Sequence, residues 1–238
     1  MSETRPRHAR PRTTGHDAPE ALWPADPGAL DAPTGPAGDP PETDGRRLRR
    51  ALNREAVVDA LLDLYGEGNL RPSTDEIAER AGISPRSLFR YFEDADDLAG
   101  EAVSRQLGRA MPLLPLGVGP DDPFASRVAA LVDQRLRLFT SVGQAAHVSR
   151  LRAPFQPRLA ENLREGRRFL RGQVRSLFAA ELTSRPDDEA EAALAAADVL
   201  TSFESYQLLT GDRGFSADEA RPILVGTLSS LLAPTGDR

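Results

Sequence analysis

The sequence contains no cysteine and only three histidines, and both shortages limit the chemistry that it can perform. Without cysteine there is no disulfide, no thiolate metal ligand and no thiol nucleophile. His8 and His16 lie in a Pro-rich terminal segment, so a histidine-based catalytic or zinc site would depend on His147 alone. No metal-ligand spacing, nucleophile motif or phosphate-binding loop occurs in the sequence either. We therefore expect a protein that is not an enzyme and that holds no metal or cofactor.

Lysine and long apolar runs are also missing. No run approaches the ~20 apolar residues of a membrane span, and the polar first residues lack the apolar centre of a signal peptide. We therefore expect a cytoplasmic protein without a membrane partner. All 30 basic residues are arginine, which makes any single arginine weaker evidence for function. The net charge of −6 argues against a protein that coats nucleic acid unspecifically, but it allows a local basic surface.

Proline and glycine are frequent in residues 1–45, together with scattered aspartate. Such a segment has too little apolar surface to offset the entropy lost on ordering, so we predict a disordered tail. Its four arginines, at positions 5, 7, 10 and 12, could reach phosphates or a minor groove. The alternative is a tail that stays in solvent, and the sequence leaves both open.

From Arg46 onward, apolar residues recur at spacings of three and four, which predicts amphipathic helices. The first helix ends at Gly66. Ser73 followed by Glu76 is a capping-box signature and predicts the start of a short second helix, which Gly82 ends.

Ser84 and Pro85 favour the first positions of a third helix, and the acidic run 94–97 begins a fourth helix that extends to about Met111. Breaks at proline and glycine separate the further helices, which we predict at 124–141, 144–152, 157–182, 188–210 and 217–232. No alternating strand pattern of useful length occurs in the sequence. It therefore predicts an all-α fold.

Two short helices joined by a tight turn, in residues 73–92, have the pattern of a helix-turn-helix. Gly82 allows the sharp turn, and Leu88, Tyr91 and Phe92 supply the buried side of the second helix. The outward side of this second helix is basic, and arginine can bond bidentately to guanine in the major groove. The segment is therefore a candidate for reading DNA.

The run STDEIAERAGISPRSLFRYFEDADDL resembles the signature of the tetracycline-repressor (TetR) family, with its hydroxyl pair, its I-A-x-x-A-G centre and its aromatic ending. The resemblance covers about residues 46–110. It implies a three-helix DNA-binding domain over 46–110 and a helical ligand-binding and dimerisation domain over 111–238. It also implies a sequence-specific transcription regulator, commonly a repressor, which a small-molecule effector releases or modulates.

The resemblance assigns DNA contacts to positions around the turn and ahead of the first helix. The candidate contact residues are Thr74, Ser84, Pro85, Arg86, Ser87, Phe89, Arg90, Arg46, Arg47 and Arg50. Phe89 stands where the family usually has tyrosine, and Ala95 where it usually has lysine, so two polar contacts with DNA are lost. The arginines at 46, 47, 49 and 50 are candidate substitutes, although they could equally form a solvated face.

The last two predicted helices, 188–210 and 217–232, are apolar or small on more than one side. In the family the last two helices pair with their symmetry mates. The resemblance therefore implies a homodimer that reads a palindrome-like operator with half-sites ~34–36 Å apart. It also implies an effector pocket among the middle helices. The candidate lining residues are Phe139, His147, Phe155, Phe169, Phe203 and Tyr206, each of which could instead be ordinary core.

A second interpretation is a helical ligand-binding or scaffolding dimer whose reading head no longer binds DNA. The departures at Phe89 and Ala95 and the acidic net charge favour it. The residues leave open the identity of the effector, the operator sequence, and whether the output is repression or activation.

Overall fold

The computed structural model describes residues 45–233, apart from the side chains of residues 45–47, and every regular element in this range is helical. The predicted tail over 1–45 lies outside the described residues, except for its last residue. The helices are α1 (Gly45–Gly66), α2 (Thr74–Arg80), α3 (Pro85–Leu88), α4 (Ala95–Ala110), α5 (Phe124–Arg152), α6 (Pro157–Leu177), α7 (Ala179–Thr183), α8 (Asp187–Leu200), α9 (Phe203–Gln207) and α10 (Ala217–Leu232). A 3-10 turn, Met111–Leu113, follows α4, and a π-helical turn, Leu208–Asp212, follows α9. The all-α prediction is confirmed for the described range.

The starts of α2, α3 and α4 are fixed by local side-chain caps, which the sequence predicted for α2 and α3. The Ser73 hydroxyl accepts from the backbone N–H of Glu76, whose carboxylate accepts in turn from the Ser73 N–H. Ser84 caps α3 by accepting from the N–H of Ser87, and Asp94 caps α4 by accepting from the N–H groups of Asp96 and Asp97. Between α2 and α3 the chain turns at Gly82, where φ is +68°, a left-handed conformation that glycine adopts without steric cost. The three caps and this turn together set the direction in which α3 leaves α2.

Helix α3 is shorter than predicted, with only four residues. The segment 84–92 nevertheless stays coiled, because the N–H of Arg90 donates to the Ser87 carbonyl and the N–H of Phe92 donates to the Leu88 carbonyl. Residues 84–92 therefore form one helical turn that continues into tight turns, rather than one continuous helix.

Three of the later helices differ from their predicted bounds. The predicted helices 124–141 and 144–152 form one helix, α5, which is kinked at Gly143 (φ 36°, ψ −123°). The predicted helix 157–182 is interrupted at Phe178, whose buried ring packs edge-on against Phe124 at 6.0 Å. The predicted helix 188–210 is interrupted at Thr201, because the Ser202 hydroxyl caps a new helix, α9, by accepting from the N–H of Ser205. The predictions of one continuous helix over 157–182 and of another over 188–210 were therefore wrong.

The buried apolar side chains form three clusters. The first lies under α1–α4, and Val148 of α5 also belongs to it. The second lies between α5, α6, α8 and α10, with Val128, Val174 and Leu228 among its members. The third joins the end of α4 to α5, α6 and α9 around Phe139. Because α4 and α5 contribute to more than one cluster, the unit formed by α1–α4, here called the reading head, packs directly against the helices that follow it.

Two buried arginines tie α5 to α6 and α7. Arg127 pairs with Glu181, and both side chains are almost fully buried, at 6% and 7% exposure. Arg127 also donates to the Leu177 carbonyl at 2.7 Å. Arg135 has no such carboxylate partner among the described residues and donates instead to Gln173 and to the Leu170 carbonyl. Burial lowers the pKa of Arg135 to about 9.

Within the described range, no helix combines the length and the apolar character that crossing a membrane would require.

The buried pair gives a test of the fold. We expect Glu181→Gln to lower the free energy of unfolding by about 3 kcal/mol, because it leaves the Arg127 charge buried without a counter-ion. Glu191→Gln is the matched control. Its carboxylate pairs with Arg171 and Arg175 on the surface, so we expect a change within about 0.5 kcal/mol. Urea denaturation measures both variants.

The pH dependence of the same variants is a second readout. The hydrogen bonds from Arg127 lower the pKa of Glu181 in the folded protein. Its contribution is therefore complete above the unfolded carboxyl pKa, ~4.3, and is lost as the pH falls through the lowered folded value. Glu181→Gln should remove this acid-dependent part of the unfolding free energy. Equal unfolding midpoints for the two variants at neutral pH would contradict the role of the pair.

Candidate nucleic-acid interface

The recognition segment, residues 84–92, presents opposite chemistries on its two sides. Leu88 and Phe92 are buried at 1% and 2% exposure and pack into the core beneath the turn. Arg86 and Arg90 are exposed on the other side, as is Pro85. This arrangement gives the segment a basic outer surface on an apolar base.

Two contacts fix the inner side of the recognition segment to its neighbours. The Tyr91 hydroxyl accepts a hydrogen bond of 3.1 Å from the side-chain amide of Asn53 in α1. The Arg54 guanidinium lies 4.9 Å from the centre of the Phe92 ring and pairs with Glu101 of α4. Sequence reasoning missed Asn53 and Arg54 as positioning residues, since only the folded chain brings positions 53 and 91 together.

The candidate contact residues that carry hydroxyl groups, Thr74, Ser84 and Ser87, lie at the first turns of α2 and α3. Thr74 is half-buried at the first position of α2, directly after the capping residue Ser73. The Ser84 and Ser87 hydroxyls lie 3.0 Å apart and bond to each other, and the Ser87 N–H donates to the Ser84 oxygen. Ser84 is exposed and Ser87 is half-buried, so both lie at the edge of the basic surface.

The two departures from the family pattern are both on the surface. Phe89 is 58% exposed and presents an apolar ring beside Arg90. Ala95 is exposed at the start of α4, next to the capping Asp94. Neither side chain can donate a hydrogen bond, so the chain lacks both polar groups at these positions.

Charge pairing divides the arginines near the recognition segment into two groups. Those that have a carboxylate partner are Arg54, Arg80, Arg105, Arg109 and Arg152. In the described part of the chain, Arg71, Arg86 and Arg90 lie within salt-bridge distance of no carboxylate. The positive field of the outer surface therefore comes from arginines that no acidic side chain neutralises.

The arginines ahead of α1 are only partly described. Arg49 and Arg50 are exposed near the start of α1. Arg46 and Arg47 belong to the same helix, but their side chains lie outside the described residues.

A cavity lies between α4, α5, α6 and α9, behind the reading head. Its volume is about 70 Å³, and its walls are almost entirely apolar. Helix α4 contributes Val103, Gln106 and Leu107 to these walls. Apolar walls with a few polar side chains among them are typical of a small-molecule site.

The six candidate pocket residues do not all meet at this cavity. Phe139 and Phe203 line it, with ring centres 5.6 Å apart. Tyr206 packs against both rings from behind, and Phe169 belongs to the same buried cluster without lining the cavity. His147 is half-buried away from the lining, and Phe155 is 83% exposed on a separate groove between α4 and α6.

The polar end of the cavity was not foreseen from the sequence. Arg150 and Arg167 line it, and both donate to the same carboxylate oxygen of Glu204, at 2.9 and 2.7 Å. The Arg150 guanidinium also lies 4.1 Å from the centre of the Phe203 ring. Burial raises the pKa of the Glu204 carboxyl, but its hydrogen bonds with Arg150 and Arg167 outweigh burial and lower that pKa to about 2. Burial lowers the pKa of Arg150. Two positive side chains therefore line the cavity, and the carboxylate that both of them bind lies outside its wall.

Among residues 45–233, no group of three histidine, aspartate or glutamate side chains is placed to hold a metal ion.

The outer sides of α8 and α10 carry small and apolar residues. On α8 these are Ala192, Ala196 and Val199, all exposed, at helical spacing along one face. On α10 the exposed positions opposite the buried side are Ile223, Gly226, Thr227 and Ser230. Two such faces allow another helix to approach closely.

Comparison with known proteins agrees with this architecture. The pattern of the family described as bacterial regulatory proteins, tetR family, matches residues 57–102. The sequence of no curated protein matches the chain. Among solved structures, a TetR-family transcriptional regulator from Rhodococcus sp. is similar in fold, with a TM-score of 0.52 and 19% sequence identity over 76% of this chain and 99% of that one. The likeness to the tetR family thus covers residues 57–102 in sequence, and the likeness to the Rhodococcus structure is one of fold.

Proposed function

We propose that the protein is a dimeric, sequence-specific DNA-binding repressor of transcription, and that a small molecule bound in the cavity weakens its hold on DNA. Residues 46–110 form the DNA-binding domain in this proposal, and residues 111–238 the regulatory and dimerisation domain. The observation that carries it is the pair of exposed, carboxylate-free arginines on a recognition segment whose other side is locked into the core.

The positions of the candidate residues favour base contacts for some of them and phosphate contacts for others. Arg86 and Arg90 are long, exposed donors that can reach base edges, where guanine offers two acceptors to one guanidinium. Pro85, Ser87 and Phe89 lie beside them and would contact the backbone or the thymine methyl group. Thr74, Ser84, Arg46, Arg47 and Arg50 would contact phosphates, which position the reading head without reading sequence.

The regulatory part of the proposal is supported by the position of α4. Leu98, Ala99 and Ala102 of this helix are buried in the core under the recognition segment. One turn further on, Val103 and Leu107 line the cavity. A ligand that pushes on the second pair therefore displaces the helix that carries the first group, and this changes the position of the reading head.

The dimer is supported by the exposed faces of α8 and α10. A single recognition segment reads too few base pairs, whereas a two-fold dimer presents two segments to two half-sites. The small residues Ala196 and Gly226 would let the helices of one protomer pack closely against those of its partner.

The DNA-reading role is tested with DNA that the wild-type protein enriches from a random library. We expect Arg86→Ala to weaken binding to this DNA by ~1–3 kcal/mol and to leave binding to unrelated DNA nearly unchanged, because a base contact is lost. Arg164→Ala is the matched control, since it removes the same charge from an exposed site on α6. Gel-shift titration at fixed salt measures all three proteins.

Two outcomes would count against the reading role. Equal loss on both DNAs would make Arg86 a phosphate contact. Failure of the wild-type protein to enrich any sequence would favour a ligand-binding or scaffolding dimer instead.

The dimer surface is tested by placing charge on it. We expect the double variant Val199→Glu/Ile223→Glu to be a monomer that loses operator binding, because symmetry brings the new carboxylates of the two protomers close together. Leu151→Glu is the control, since Leu151 is an exposed leucine near the end of a different helix, α5. Light scattering coupled to size-exclusion chromatography gives the mass of each. A double variant that keeps the wild-type mass would place the interface elsewhere.

A further inference from the structure

The ionisable side chains that line the cavity are all positively charged. Of the residues that line it, only Arg150 and Arg167 are ionisable, and the remaining polar side chains are Gln106, Asn162 and Ser149. All other walls are aliphatic, aromatic or glycine. Such a lining favours a ligand whose body is apolar and whose charge, if it has one, is negative.

The two arginines converge on a single point. Both donate to the same oxygen of Glu204, Oε1, from two different helices, and Glu204 itself is not part of the cavity wall. One carboxylate faces two guanidinium groups, so the cluster keeps a net positive charge. The protein's own carboxylate thus lies just outside an apolar cavity and is held by two arginines that also line that cavity.

Helix α9 is held in place through this cluster. Arg150 contacts both of its first two residues, because its guanidinium stacks on the Phe203 ring at 4.1 Å and bonds to Glu204. The five-residue helix is bounded by the non-helical Thr201 on one side and by the π-helical turn 208–212 on the other. Irregular backbone of this kind can take up a small shift of a short helix at less cost than a continuous helix could.

We propose that the cavity binds an amphipathic anion, an apolar chain that ends in a carboxylate, and that this carboxylate replaces Glu204 on Arg150 and Arg167. The inference rests on the proposed effector-binding role of the cavity and names the chemical class of the effector. Glu204 acts as a built-in competitor. Its displacement releases α9 and the Phe203 ring, which forms part of the cavity wall.

The competition distinguishes this proposal from a purely structural cluster. We expect the wild-type protein to bind decanoate, and Glu204→Gln to bind it about tenfold more tightly, because both guanidinium groups then lack a charged partner. We expect Arg167→Gln to bind decanoate about tenfold more weakly. The neutral analogue decanol should bind all these proteins equally. Isothermal titration calorimetry on the full chain without DNA measures each affinity.

Arg168→Gln is the matched control on α6. Arg168 is exposed, pairs with Glu161 and does not line the cavity, so its substitution should leave both affinities unchanged. Arg167 and Glu204 are each about half exposed, and circular dichroism with thermal melting confirms that their variants fold.

Several results would overturn the proposal. If Glu204 only braces α9, Glu204→Gln will bind decanoate no more tightly than the wild type. Absence of decanoate binding to both proteins, or equal responses to decanoate and decanol, would exclude an anionic ligand. The regulatory role is tested separately, by adding decanoate to the DNA-bound protein. Decanoate binding that leaves the DNA complex intact would support this ligand class while contradicting effector release.

Discussion

Helix α4 is buried on two sides at once, and the arrangement of the rest of the molecule depends on this. Its first half packs Leu98, Ala99 and Ala102 under the recognition segment, where the two alanines are wholly buried and allow α1 to approach closely. Its second half forms one wall of the cavity. Interiors packed to this density do not deform smoothly, so a change at one end of the helix is felt at the other. One helix therefore belongs both to the core under the recognition segment and to the wall of the cavity.

The contacts around α4 show how this helix is held. Gln106 donates to the Ser141 carbonyl, which lies two residues before the kink at Gly143. Asp59 of α1 pairs with Arg105 and Arg109, and Asp96 at the other end pairs with Arg152 of α5. Each surface pair contributes little free energy by itself. Their effect is on the charge pattern, since they neutralise the arginines around α4 and leave those of the recognition segment unpaired.

Local signals in the sequence predicted local structure well. The caps at Ser73 and Ser84 and the turn at Gly82 act within four residues, so the sequence alone was enough to predict where α2 and α3 begin. The interruption at Phe178 depends instead on a ring buried against Phe124, more than fifty positions away, which no local pattern records. The interruption before α9 did have a local signal, because Ser202 caps the helix, but the apolar run on both sides concealed it.

The candidate site also has one part with a local signal in the sequence and another part that only the fold brings together. The candidate contact residues of the recognition segment follow one another in sequence, so a motif could single them out as candidates, and the structure adds that Arg86 and Arg90 are exposed. The charged end of the cavity joins positions 150, 167 and 204, which only the fold brings together. The all-arginine composition concealed these residues further, because a basic residue on a helix is ordinarily a solvated one.

The break at Thr201 explains why this cluster can form. By ending α8 and starting a new helix at Ser202, the chain changes direction, so that Phe203 and Tyr206 both meet Phe139, at 5.6 and 5.8 Å, while Glu204 faces Arg150 and Arg167. The same five residues thus supply an aromatic wall and a counter-ion. Because Phe203 and Glu204 are neighbours on one short helix, the contacts of Arg150 and Arg167 with Glu204 also help to hold an aromatic ring in the cavity wall.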